Sequence, residues 1–336
     1  VILTGGIEMR DRLRVAGLFL IWTMVAAVVA VPALAAQEGH FDRTLSVTGA
    51  VDLTVQTGPG NITVKPGDSS KVEIHATIRA DHSWLNGDAS ARIHDIEANP
   101  PIEQNGNTIR IGHFDERGRE HGISISYNVT VPEQTKLHSE SGSGDETIGG
   151  IAGPVDATSG SGDLRAANIG SEVHVRTGSG SVELDSINGA ARASSGSGSI
   201  RALGIAGGLN ASSGSGEVKL EQTAAGDVEI STGSGNVDIK GAKGAVSVTT
   251  GSGEINAQGV PSGDWKLRTG SGSVTVEFPE NAGFELYAQT SSGNIETKHA
   301  ISVQGNISTH ELHGKVGTGG AVRVELRTSS GTIRIL

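Results

Sequence analysis

The sequence predicts an all-β fold, a β-helix or solenoid with coils of about 18–19 residues. Three observations carry that prediction. Ser-Gly-Ser-Gly or Thr-Gly-Ser-Gly recurs with its first glycine at Gly142, Gly160, Gly178, Gly196, Gly214, Gly233, Gly251 and Gly270. Every step between them is 18 or 19 residues. Between these corners, apolar and polar residues alternate with the two-residue period of a half-buried strand. The 50 glycines follow no Gly-X-Y triplet and sit in register, so they read as turn residues and not as a disordered tract.

Residues 1–36 are expected to lie outside the folded product. From Met9 a basic stretch (Arg10, Arg12, Arg14) leads into an apolar run over 15–31, broken only by Gly17 and Thr23. Pro32 and Ala33-Leu34-Ala35-Ala36 follow, which is the order of a secretory signal peptide cleaved after Ala35 or Ala36. The competing reading is an uncleaved anchor, but the run is short against the ~20 residues of a spanning helix. Residues 1–8 fit neither reading and are expected to precede the true start at Met9. The product is therefore expected to be exported, to the periplasm, the cell surface or the medium. No second apolar run of membrane length occurs before Leu336, so no membrane insertion of the mature chain is expected.

Residues 37–140 predict an irregular N-terminal β part of the same solenoid. Val51, Leu53 and Val55 alternate, Thr57-Gly58-Pro59-Gly60-Asn61 copies the corner, and Ile62 and Val64 alternate again. Further strands are expected at Val72/Ile74/Ala76, Ile109/Ile111 and Ile123 to Val131, while polar residues 81–107 read as a loop. No helical periodicity is expected from residue 37 onward.

Residues 141–297 predict the regular coils. In one coil, Val182 and Leu184 face inward from a strand, residues 185–189 turn, and Ala191 and Ala193 face inward from the next strand. Ser195-Gly196-Ser197-Gly198 closes the turn, where glycine tolerates positive φ and leaves room for stacked backbone. Ile187 offers a third inward side chain. Trp265 falls in an inward column. At the first regular coil, Glu146 occupies the slot that Leu164 fills one turn later, which predicts an irregular junction. Residues 298–336 predict a C-terminal loop and capping coil, with one coil hidden in 298–320 or a long loop there.

Two outward columns result. One reads Asp156, His174, Arg192, Asn210, Glu229, Ser247, Lys266, Glu285; the other reads Arg165, Glu183, Arg201, Lys219, Asp238, Asn256, Thr275. Glu183 is expected to stack between Arg165 and Arg201, each contact contributing roughly 0.2–1 kcal/mol. Neither column has one sign, as a solvated wall requires.

The chain has no cysteine, so neither a disulfide nor a cysteine-borne lipid anchor is available. The formal charge is −11; residues 1–36 carry three arginines and two acids, leaving −12. That excess argues against nucleic acid and anionic lipid as partners.

The export signal, the early Thr57-Gly58-Pro59-Gly60-Asn61-Ile62-Thr63-Val64 turn, Tyr127-Asn128-Val129-Thr130-Val131-Pro132, the tandem corners and the closing Thr328-Ser329-Ser330-Gly331-Thr332-Ile333-Arg334-Ile335 occur together. In this combination the chain, over about residues 40–336, resembles the bacterial "putative adhesin" family of β-strand-repeat proteins, similar to the head domain of autotransporter adhesins. The resemblance implies a single-stranded, right-handed β-helix that is exported or envelope-associated, and it carries over no catalytic residues.

The sequence holds no Gly-x-Ser-x-Gly elbow, phosphate loop or dinucleotide fingerprint. The serine ladder Ser143, Ser161, Ser179, Ser197, Ser215, Ser234, Ser252, Ser271 has no recurring histidine beside it, and its hydroxyls are expected to bond the backbone. Calcium-binding nine-residue repeats need glycine-rich corners on both sides, and only one is present here, although Asp145 and Asp163 could stack around an ion. His310 and His313 have the spacing of a metal pair but lack a zinc helix's glutamate. We therefore assign no catalytic, cofactor or metal residues. The expected function is a non-enzymatic, adhesin-like binding or scaffolding module of the cell envelope, monomeric, with an envelope protein or polysaccharide as partner. Its ligand is expected along one wall or at the insertions 81–107 and 298–320. The alternative is a polysaccharide lyase or hydrolase; an ice-binding array, which needs a flat Thr-x-Thr face, ranks below it because the outward columns mix charges.

Overall fold

The computed structural model describes residues 38–80, 88–112, 122–303, 308–318 and 320–336. The segment expected to be a signal peptide, Trp84 and parts of both insertions lie outside them. From Thr135 onward each coil contributes one strand before its glycine corner and one after it, and these stack into two parallel walls. The leading wall contains Thr135–Ser141, Val155–Ser159, Val173–Thr177, Ala191–Ser195, Leu209–Ser213 and Val228–Thr232. The trailing wall contains Glu146–Gly149, Leu164–Ile169, Val182–Ile187, Ile200–Ile205 and Val218–Gln222. The long strands Val237–Ser252 and Ile255–Ser271 each span both walls. Register follows the sequence repeat: Val155 stacks on Val173, Val173 on Ala191, and Ala191 on Leu209.

This register seals the predicted columns. Val173, Val175, Val182 and Leu184 are all at most 2% exposed, and so are their equivalents along most of the array. A third column, Ile151, Ile169, Ile187 and Ile205, closes the core where each coil turns back. One longer coil breaks that column with Gln222. Its side chain instead donates to the carbonyls of Gly207 and Gly226 (both 2.9 Å) and accepts from the Lys243 N–H. A buried polar group is tolerated there because its hydrogen bonds are made.

The glycine corner works differently from the sequence expectation. The hydroxyls that bond the backbone belong to the residue before the first glycine. Ser159 Oγ donates to the Gly144 carbonyl (3.0 Å) and accepts from the Gly162 N–H (2.8 Å); Thr177 and Ser195 repeat the arrangement one coil on. Ser143, Ser161 and Ser179, in the expected ladder, are exposed instead. Glycine is required by close stacking: a Cβ on Gly162 would sit 1.9 Å from the Gly144 oxygen. Positive φ is not the reason at Gly162, although Gly272, Gly293 and Gly331 adopt it at the same corner in the last coils. It recurs at the opposite turn, at Gly150, Asn168, Ser186, Gly204 and Gly241.

Both ends are interleaved. At the N-terminus, Val51–Thr57 lies between Thr108–Ile111 and Thr135–Ser141, and Ile62–Pro66 lies between Ile123–Val131 and Glu146–Gly149. Glu38–Ser46, Lys71–Ala80 and Ile123–Val131 add an antiparallel extension to the trailing wall. At the C-terminus, Arg323–Ser330 is inserted between Ile255–Ser271 and Phe284–Ser292. The final coil is thus the penultimate layer and not the cap expected of it. The segment expected to hide a coil instead forms Ile301–Val303 and Glu311–Val316, which pair antiparallel and cover Phe284–Ser292. The wider core here is filled by Trp265, Phe278 and Phe284, with ring centroids 5.0 and 4.8 Å apart.

Two further expectations are corrected. Asp88–Ala98 is an α-helix, followed by a hairpin of Ile102–Asn105 and Thr108–Ile111. Its apolar face is small: Ile93 is 5% exposed, packed against the strand at Gly39, and Glu97 accepts the His40 N–H. Two isoleucines, Ile93 and the half-buried Ile96, are too few to stand out as a period in a polar stretch. Glu146 does lie where sequential stacking breaks, since its coil rests on Ile62–Pro66 and not on Ile123–Val131, but the register there is regular: it stacks between Ile62 and Leu164, with its carboxyl in the core.

Candidate ligand-binding groove

Each leading-wall strand starts where the chain leaves the third corner, and the last corner residue stands beside the strand as a rim. Its carbonyl receives the N–H of the strand stacked on it: Val155 bonds to Glu172, Val173 to Ala190, Ala191 to Gly208 and Leu209 to Asp227, at 2.9–3.1 Å. Repetition of rim and wall encloses a groove of about 820 Å³ running from Lys136 to Lys266. It crosses seven coil spacings of ~4.8 Å, so its length is about 34 Å. The rim residues are smallest at Ala190, Gly208 and Ala245, and the first two stand at the middle of the groove. Gly208 has no room for a side chain, since a Cβ would lie 2.7 Å from the Asp227 carbonyl oxygen.

The floor is the first outward column of the sequence. Asp156, His174, Arg192, Asn210, Glu229, Ser247 and Lys266 stack in consecutive register. Glu285 does not continue it. Lys266 is followed by Glu325 and then Tyr287, because the final coil is inserted there and Glu285 instead aligns with Arg323.

Most floor and rim carboxylates are already engaged. His138 and His174 place Nδ1 3.7 Å from the two oxygens of Asp156. Asn210 Nδ2 donates to Glu229 Oε2 at 2.8 Å. Asp227 accepts the Ala245 N–H and Asp264 the Arg323 N–H, both at 3.0 Å. Arg192, at the centre of the floor, has no ion-pair partner among the described residues. His174 Nε2 is buried and makes no hydrogen bond.

Beyond Lys266 the wall is closed by its own contacts. Arg268 and Arg327 donate to Glu325 at 2.7 and 2.8 Å, and the Arg268 hydrogen bond is the main reason its carboxyl titrates below the usual range. Tyr287 stacks on His313 at 4.1 Å, with the Arg323 guanidinium 5.1 Å from its ring centroid. That ring is occupied and offers no platform.

The remaining candidates from the sequence are dispersed. Arg165, Glu183 and Arg201 stack as expected, with Arg165 Nε 3.5 Å from Glu183. Asp145 and Asp163 each accept the N–H one coil on, from Asp163 (2.9 Å) and Ser181 (2.8 Å), which clamps adjacent coils together. His310 faces Thr309, while His313 is taken by Tyr287 and Glu285. Among the described residues no group of three or more His, Asp or Glu side chains could hold a metal ion, and no helix is long and apolar enough to cross a membrane. Sequence reasoning found the floor but not the rim. Small corner residues such as Ala190 and Gly208 have no signal of their own until stacking aligns them.

No curated protein matches the chain. Among solved structures it is similar to a "putative lipid binding protein" from Parabacteroides distasonis (13% identity, covering 90% of this chain and 98% of that one, TM-score 0.42). It is also similar to a "putative adhesin" from the same organism (12%, 88% and 97%, TM-score 0.36) and to another from Bacteroides fragilis (13%, 90% and 99%, TM-score 0.34). The family model described as Toastrack DUF4097 matches residues 52–336, from the strand Val51–Thr57 onward. This two-walled β-solenoid therefore belongs to the Toastrack DUF4097 family.

Proposed function

We propose that this protein is an exported, non-enzymatic binding or scaffolding module of the bacterial cell envelope, and that its ligand lies in the leading-wall groove. The observation that carries the reading is the groove itself: about 820 Å³, with one floor side chain per coil held on a hydrogen-bonded wall. A wall paired above and below by backbone hydrogen bonds deforms little, so its side chains are preorganised for an extended ligand. Four of the five groove carboxylates already have neighbours: Asp156 lies beside two histidines, Glu229 accepts from Asn210, and Asp227 and Asp264 accept backbone N–H groups. The signal-peptide pattern of residues 9–36 supports the envelope location.

The test is photo-cross-linking in native cells from Ser247 on the groove floor, compared with Thr275 on the opposite wall. The expected result is an envelope adduct from Ser247 alone. Equal labelling from both walls would overturn the groove as the site. Release of reducing ends or unsaturated sugar by the purified protein would overturn the non-enzymatic reading.

A further inference from the structure

Given that the groove is the binding site, its chemistry narrows the occupant. We infer that it holds a neutral, extended polysaccharide lying along the coil axis. The floor mixes hydrogen-bonding roles: Asp156 and Glu229 keep acceptor sites beyond those their neighbours use, Arg192 and Lys266 donate, and His174, Asn210 and Ser247 can do both. A sugar hydroxyl is both donor and acceptor, so a run of hydroxyls can satisfy such a mixed row. Ligands carrying charge of one sign cannot. Five carboxylates, Glu172, Asp227 and Asp264 on the rim with Asp156 and Glu229 on the floor, repel a polyanion, while Lys136, Arg192 and Lys266, at the two ends and the centre, interrupt any row of sites for a polycation. No large hydrophobic side chain stands strongly exposed in the groove to anchor an apolar partner; Val260, the one such residue among those described, lies outside it. Strand addition is also closed at this face, because the wall's backbone groups are consumed between coils.

Spacing agrees. Floor residues repeat every ~4.8 Å along the axis, and successive rings of an extended β-linked glycan advance by nearly the same distance. Each sugar would meet one coil. Arg192, with no ion pair to break, and Asn210 beside it mark the centre of the site, where the small rim residues Ala190 and Gly208 admit the ring.

The test uses the purified mature chain and neutral oligosaccharides of graded length: cellohexaose, chitohexaose and mannohexaose with their disaccharides, plus polygalacturonate and polylysine. At least one neutral hexasaccharide is expected to bind at least tenfold more tightly than its disaccharide, with less than a twofold change between low and high salt. Arg192→Ala and Asn210→Ala should each weaken it at least fivefold, with the thermal unfolding curve unchanged, while Glu183→Ala on the opposite wall should have no effect. Tighter binding of either charged polymer, strong salt dependence, or no neutral hexasaccharide binding would overturn the inference. The cross-link from Ser247 separates the two levels. A protein adduct without glycan binding removes the polysaccharide and keeps the groove, whereas absence of both removes the groove as well.

Discussion

Ser139 donates its hydroxyl hydrogen to Glu146 Oε2 inside the solenoid, and both residues are completely buried. Ser139 stacks between Val55 and Ala157 on one wall, and Glu146 between Ile62 and Leu164 on the other. The second carboxyl oxygen, Oε1, has no partner. Burial outweighs the hydrogen bond and raises the Glu146 pKa from 4.5 to about 7.

Stability should therefore depend on pH through this group. The folded state binds the proton more tightly than the unfolded chain, so the stabilisation is complete below pH 4.5 and is lost as pH rises through about 7. A shift of this size corresponds to about 3 kcal/mol. Glu146→Gln should remove this component of the pH dependence and be the more stable protein at pH 8. Urea unfolding of both proteins at pH 5 and pH 8 measures it.

Thr177→Val keeps the shape of a corner residue and removes its hydroxyl. The Gly162 carbonyl and Gly180 N–H lose their partner in a buried site, at a cost of about 2–3 kcal/mol. Ser179→Ala, two residues on and exposed, should change stability by less than ~0.5 kcal/mol. The pair of melting curves separates structural from solvated corner hydroxyls.

Gly162→Ala should be far worse than its size suggests. The new methyl would lie 1.9 Å from the Gly144 oxygen, and backbone stacked on both sides cannot move without separating coils. A loss above ~3 kcal/mol, or failure to fold, is expected from overpacking. Circular dichroism of the purified variant reads it directly.

Ser186 holds φ at 56°, the turn position that Gly204 fills one coil later. A side chain there costs about 1–2 kcal/mol, partly offset by the greater freedom of an unfolded glycine. Ser186→Gly should raise stability by roughly 0.5 kcal/mol, detectable as a higher melting temperature.

Removal of residues 321–336 should do more than shorten the array. An ordinary terminal repeat takes only its own contacts with it. Here Arg323–Ser330 separates Ile255–Ser271 from Phe284–Ser292, so its loss exposes an edge on both neighbours. Hydrogen exchange should show lost protection in Ile255–Ser271 as well as in Phe284–Ser292, together with aggregation.

The regular coils and the groove floor were legible because both are local properties repeated at one pitch. Val173 over Val155, or Arg192 over His174, needs only the assumption that like positions stack. Glu285 broke that assumption, since a later coil was inserted before it and moved its alignment by two residues. The helix at Asp88–Ala98 was missed because Ile93 and the half-buried Ile96 leave little periodic signal.

What the chain alone determined is the coil: its pitch, its inward columns and the glycines that let turns lie flat. What only the tertiary structure decided is everything that depends on which coils are neighbours. That includes the interleaved ends and the rim that turns a wall into a groove. The physical reason is that alternation records which way a side chain faces, whereas its partner is chosen by backbone pairing between segments that can be dozens of residues apart.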